Sequence, residues 1–217
     1  MQEAVSYHYL KNPVAIETES FAQIKAATDL SGFDEEQSQI VLRLVHTCGN
    51  PDVARQIKIS DLAASAGVAA LANGAPVLCD VEMVRQGLTK RYLNETPMCF
   101  LNDPDIPRRA RDAGETRTMT AVSKWVPYLK GSIVIVGNAP TALFRLLELL
   151  HEGVDKPALI IGMPVGFVGA AESKDVLWEE YSNLKTECIT IEGRTGGSAL
   201  AAGAFNTLIR LQRGLRF

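Results

Sequence analysis

The stretch SIVIVGNAPT, residues 132–141, decides the fold. Ile133, Val134, Ile135 and Val136 are all β-branched and apolar, with no alternation. A run so short and apolar on both faces reads as a strand buried on both sides of a sheet. Gly137 allows the tight turn that follows. Pro140 suits the first turn of a helix, where its missing N–H would be unpaired anyway. The stretch is a strand, a glycine loop and a helix start.

The same junction recurs twice downstream. Residues 158–161 run into GMPVGFVG (162–169), and residues 187–192 run into GRTGGS (193–198). Short apolar runs at 76–79 and 97–101 complete a set of five predicted strands. Helical stretches are predicted at 82–88, 116–129, 140–151, 170–181 and 198–210. This alternation predicts an α/β fold in three α/β/α layers, with a flavodoxin-like parallel sheet of about five strands. A helical N-terminal part precedes it, over 20–48 with a break near 30–33, and again over 60–72. Asp34 followed by Gln37 has the pattern of a capping box, and Gly49-Asn50-Pro51 is a stop signal. No repeat, low-complexity tract or linker interrupts the chain, so residues 1–217 are read as a single domain.

Bulk properties narrow the function. The chain has 47% hydrophobic and 22% charged residues, the profile of a globular protein. Its net charge of −3 argues against nucleic-acid binding by bulk electrostatics. No apolar run approaches the ~20 residues that cross a bilayer. The opening MQEAVSYHYLKNPVAIETES lacks a basic-then-apolar leader pattern, so neither a signal peptide nor a membrane partner is expected. Cys48, Cys79, Cys99 and Cys188 form no C-x-x-C pair and no metal-ligand spacing with histidine, which suits a reducing cytoplasm.

The three glycine loops lie at the carboxyl edge of the predicted strands, where such sheets bind ligands. Helix N-termini there expose unpaired N–H groups that favour anions. Arg194, Lys174 and Arg117 lie nearby, with Thr141 and Ser198 at helix starts. Neither G-x-x-x-x-G-K-[ST] nor G-x-G-x-x-G with a downstream acid is present, so nucleotides lose their usual signatures. A ligand with several separated carboxylates fits separated loops.

Only three histidines exist, His8, His46 and His151. His8 lies in the N-terminal segment. His151 ends a helix and reads as a surface residue compensating the helix dipole. His46 borders a broad apolar arc of Ile40, Val41, Leu42, Leu44 and Val45, so it is expected partly buried and facing a cavity. Burial would lower its pKa and the helix end would raise it; either way it is a proton donor near neutral pH. Asp80 and Glu82 read first as an N-cap and a helix-start acid, and secondarily as an acid–base pair. Met163, Phe167, Trp125 and Trp178 read as core or subunit interface, and Arg108–Asp112 as a solvated helix face.

Several stretches resemble one family. They are Ser20-Phe21, VHTCG (45–49), GAPVLCDVEMV (74–84), Thr116-Arg117, GNAPTAL (137–143), PVGFVGAAESK (164–174) and GRTGGS (193–198). In this order they resemble the precorrin-8X methylmutases, also called cobalt-precorrin-8 methylmutases, from about residue 16 to 206. The resemblance implies a flavodoxin-like homodimer with no separate cofactor and no metal. It implies an isomerase that moves a methyl group from C11 to C12 of a corrin precursor in cobalamin biosynthesis. His46 would then protonate or hydrogen-bond the ring C nitrogen, and Ser20, Arg117 and Thr195 would contact the substrate. Arg194, Lys174, Thr141 and Ser198 are added on physical grounds as carboxylate contacts. Glu19 stands where the family often has arginine, and Asn50 where a carboxylate is common; neither touches the proposed acid. The competing readings are a non-catalytic corrinoid binder or product carrier, and an unrelated nucleotide enzyme.

Overall fold

The computed structural model describes residues 7–217. The first six residues, part of the stretch in which no leader is expected, lie outside it. Helix α1 (Pro13–Ala27) starts earlier than predicted: Asn12 caps it by accepting from the Ala15 N–H, and Pro13 takes its first turn. Helix α2 (Glu35–Cys48) opens on the Asp34–Gln37 capping box and closes on Gly49 in the left-handed region. After a 3-10 turn over Pro51–Gln56 come β1 (Ile57–Ile59), α3 (Ala63–Ala72), β2 (Val77–Cys79) and α4 (Glu82–Gly87). A second 3-10 turn, Lys90–Tyr92, leads to α5 (Ile106–Ala113) and α6 (Arg117–Val122). Then follow β3 (Ile133–Val136), α7 (Pro140–His151), β4 (Leu159–Gly162), α8 (Ala170–Glu180), β5 (Glu187–Ile191) and α9 (Ser198–Gln212).

The sheet order is β1-β5-β4-β3-β2. Strands β2 to β5 are parallel and adjacent in chain order, whereas β1 pairs antiparallel with β5 through Ile57–Ile191 and Ile59–Ile189. The first strand, interior and parallel in the flavodoxin order 2-1-3-4-5, is here an antiparallel edge strand beside β5. Ile133, Ile135, Leu159 and Ile161 face α2, α3 and α9 across one core. Val134, Val136 and Ile160 face α7 and α8 across the other. The alternation produces three layers, and burial on both faces explains the unbroken apolar runs.

Two strand expectations change. Residues 97–101 form only one parallel bridge, Leu78 to Met98, at the outer edge of β2. Pro97 has no N–H to donate, and the chain turns away with Asp103 bonding back to Phe100. Conversely, β1 follows the stop signal at Gly49 and is only three residues long, below the length at which a pattern is readable.

Candidate active site

Helix α2 buries Ile40, Val41, Leu44 and Val45 and leaves His46 on its rim, exposed. The neighbouring α1 supplies Ser20, whose Oγ lies 3.0 Å from His46 Nδ1. Phe21 stacks on the imidazole, with centroids 5.0 Å apart and planes 14° apart. Burial first, then the Arg43 charge, holds the imidazole below its usual pKa, against an opposing pull from Glu17. Hollows of about 340 and 380 Å³ open on either side of His46, both lined by Ser20.

Arg43, absent from the sequence-based list, lines one of these hollows and also a larger groove of about 440 Å³. The groove runs between α2, α9 and the 87–92 segment. Its floor is the small-residue face of α9 at Ala199, Ala202 and Gly203, and its sides carry Arg43, Arg91, Arg210 and Arg213. Glu17 serves both Arg43 at 3.9 Å and Arg210 at 3.4 Å. Among the described residues Arg91 and Arg213 make no ion pair; both guanidiniums lie over the Tyr92 ring, at 4.7 and 4.1 Å. The Arg210 Nε is buried without a partner. Four guanidiniums against one carboxylate make a seat for a polyanion. The signal was present in the spacing, since Arg43 is one turn before His46 and Arg210 one turn before Arg213.

The glycine loops do gather at the carboxyl edge of the sheet, but much of their hydrogen bonding is internal. Asp80, 2% exposed, accepts from the N–H groups of Gly137, Asn138 and Ala139 at 3.1, 2.9 and 2.9 Å. This replaces both readings of Asp80, since the cap position of α4 is Val81 and no side chain caps that helix. Burial pushes the Asp80 carboxyl up, against the pull of those donors. Glu82 is paired with Arg85. The Gly197 N–H donates to the Met163 carbonyl at 2.8 Å. A Cβ at Gly196 would sit 2.4 Å from that carbonyl oxygen, so only glycine lets the two loops touch.

Lys174 differs from its expected role. It is 1% exposed, and its Nζ donates to the Thr195 carbonyl at 2.6 Å. It supports the third loop from beneath and presents no charge to solvent. Burial pulls its pKa down to about 8. The unfolded chain therefore binds more protons between about 8 and the ordinary lysine value near ~10.4. Wild type should gain stability relative to Lys174→Met as pH rises through that window, read as the difference in Tm. A constant difference would contradict the buried ammonium.

Arg194 and Thr195 are exposed on this loop, with the Arg194 guanidinium 5.1 Å from the Phe167 ring centre. Ser198 is nearly buried as the first residue of α9. Arg117 is exposed at the start of α6, where Thr116 Oγ1 meets Thr141 Oγ1 at 2.7 Å. That corner belongs to the α7 layer, on the sheet face opposite α2. One chain therefore brings Ser20, His46 and Arg43 together but leaves Arg117 and Thr141 apart from them. Of the remaining candidates, His151 pairs with Glu180 on the surface at 2.7 Å, and His8 is exposed. Trp125 is core, while Phe167 stands 84% exposed. No helix of the described residues is long and apolar enough to cross a membrane.

A three-layer α/β protein with a histidine beside an arginine-lined groove defines a class: enzymes that act on a polyanionic small molecule. Residues 15–211 match the family model described as precorrin-8X methylmutase, and the chain belongs to that family of isomerases. A Sinorhizobium precorrin-8X methylmutase is 48% identical over 94% of this chain and 97% of its own. A Leptospira interrogans cobalt-precorrin-8 methylmutase is 36% identical over 90% and 92%. The crystal structure of a Thermus thermophilus precorrin-8X methylmutase superposes with a TM-score of 0.82 at 35% identity, covering 93% of this chain and 97% of that one.

Proposed function

We propose that the chain moves a methyl group from C11 to C12 on ring C of precorrin-8X, giving hydrogenobyrinate. No atom is gained or lost, so the reaction is an intramolecular transfer. The observation that carries this reading is the arginine groove meeting the Ser20–His46 pair at Arg43. The corrin precursor carries many acetate and propionate groups, and the groove offers four guanidiniums over a flat floor of small residues. In the protonated imidazole the Nδ1–H donates to the Ser20 Oγ, which leaves the Nε2–H free to donate. Nε2 is then the atom that approaches the ring C nitrogen. Donation there drains electron density from the conjugated system and lowers the barrier to the shift. The metal-free substrate is favoured over cobalt-precorrin-8 by the higher identity to the relative named for it.

The reading of residues 1–217 as one domain is supported, over the described residues 7–217, by two cores that share one sheet. A homodimer in the cytoplasm is part of the proposal. It is supported by four unpaired cysteines and by the separation of Arg117 from the groove. In a dimer, Arg117 of one protomer would meet the substrate held by its partner.

The test is a visible spectrum of the protein with precorrin-8X, followed in time. Catalysis changes the chromophore, whereas a carrier leaves it bound and unchanged. Arg213→Ala and Arg117→Ala are each expected to raise KM about tenfold with little change in kcat, as loss of a charged contact at the substrate rim. An unchanged KM in Arg213→Ala would remove the groove from substrate binding.

A further inference from the structure

Residues 214–217 lie beyond the stretch that matches the family, yet they pack against the aromatic ring that stacks on the proposed acid. The Phe217 ring stacks on Phe21 with centroids 3.9 Å apart and planes 12° apart. Phe21 in turn stacks on His46. Phe217, Phe21 and His46 are therefore joined by successive stacking contacts. The Arg43 and Arg210 guanidiniums lie 4.5 and 4.2 Å from the Phe217 ring centre. The segment is anchored on three helices. The Phe217 N–H donates to Gln39 Oε1 on α2 at 2.6 Å, and Lys25 Nζ on α1 donates to the Phe217 carbonyl at 2.8 Å. Arg216 pairs with Glu35 at 2.9 Å. Leu215 reaches the groove and bonds back to the Arg210 carbonyl on α9.

We infer that Phe217 is a positioning residue: its ring holds Phe21 against His46 and keeps Arg43 and Arg210 in place at the groove. Phe21 is 4% exposed, and Phe217, His46 and Arg43 all lie against its ring. Ser20 is its neighbour on α1, so a shift of Phe21 moves both groups that orient the imidazole. Two like charges, Arg43 and Arg210, share the Phe217 ring and one carboxylate, Glu17, which favours their staying together. Removing the ring admits water to the stack and lets Arg43 swing away. Both changes relieve the causes that depress His46, which is faced by Glu17 from α1 and by Arg43 from its own helix.

The inference rests on the proposed role of His46, so the experiment has two independent readouts. The first is an NMR titration of the His46 ring without substrate in wild type, Phe217→Ala, Phe217→Leu and Phe217→Tyr. The midpoint is expected to rise toward the ordinary value near ~6.5 in the alanine variant and to return in the tyrosine variant. The leucine variant keeps bulk without the stack and should lie between. The second is turnover, with kcat expected to fall about tenfold to a hundredfold in Phe217→Ala and KM to change less, as for a misplaced catalytic group. An unchanged titration with only a lowered Tm would reduce Phe217 to a structural contact and overturn the inference. A shifted titration in a protein that turns over nothing would retain the clamp and reject the proposed reaction.

Discussion

Replacing His46 with alanine is expected to leave precorrin-8X bound and its spectrum unrearranged. General-acid assistance of this kind is worth ~10²–10⁴-fold, so the loss should reach that range in kcat. Binding should persist because the groove arginines are untouched. The free-enzyme pH profile carries the sign. An acid must be protonated to act, and His46 is held below its usual value by burial and by Arg43. The wild-type kcat/KM should therefore be high at acidic pH and fall as pH rises through a midpoint below ~6.5. The falling limb should be missing from the residual activity of the alanine variant. Full activity in that variant would reject the proposed acid. Once carboxylates sit on Arg43, one cause of the depression is offset, so the midpoint seen in kcat should lie higher than that in kcat/KM.

Asp80→Ala is the second large expectation, and it concerns stability. Three backbone N–H groups, of Gly137, Asn138 and Ala139, lose their acceptor. An orphaned buried donor costs about 1–3 kcal/mol. Gly137 and Ala139 are buried while Asn138 is exposed, so two such donors together remove about 2–6 kcal/mol from a total of about 5–15 kcal/mol. Urea unfolding should show a midpoint far below wild type, or no folded baseline. Asp80→Asn keeps one acceptor oxygen and should lose less. An alanine variant within about 1 kcal/mol of wild type would mean that water replaces the carboxylate there.

The layers of the fold were legible in the sequence for a simple reason. Strands β3 to β5 are buried on both faces, so they show short, Ile-rich and largely apolar runs. The capping box at Asp34 and the glycine stop at Gly49 act through local hydrogen bonds, and local rules find them. Strand β1 was not legible because three residues carry no period and their partner lies in β5. Residues 97–101 looked like a strand by composition, but Pro97 and the turn behind it left one bridge.

The site was legible only where chemistry was rare. With three histidines in the chain, His46 stood out. Lys174 was placed near the ligand by sequence distance, and burial sends its ammonium the other way. The spacing of Arg43 before His46 and of Arg210 before Arg213 is visible in the sequence, but the groove is made by two helices from opposite ends of the chain, so no local rule joins them. Phe217 carried no signal at all, since its role exists only through stacking on Phe21.

The docking of α2 on α9 and the pairing of β1 with β5 also set the order of assembly. On the ribosome, the apolar arc of α2 emerges long before the surface that covers it. The parallel strands can line up one after another as they appear, each beside the last. The hollows at the histidine are built from residues 13–51, which emerge early, whereas the arginine groove beside them is complete only after α9 has been made.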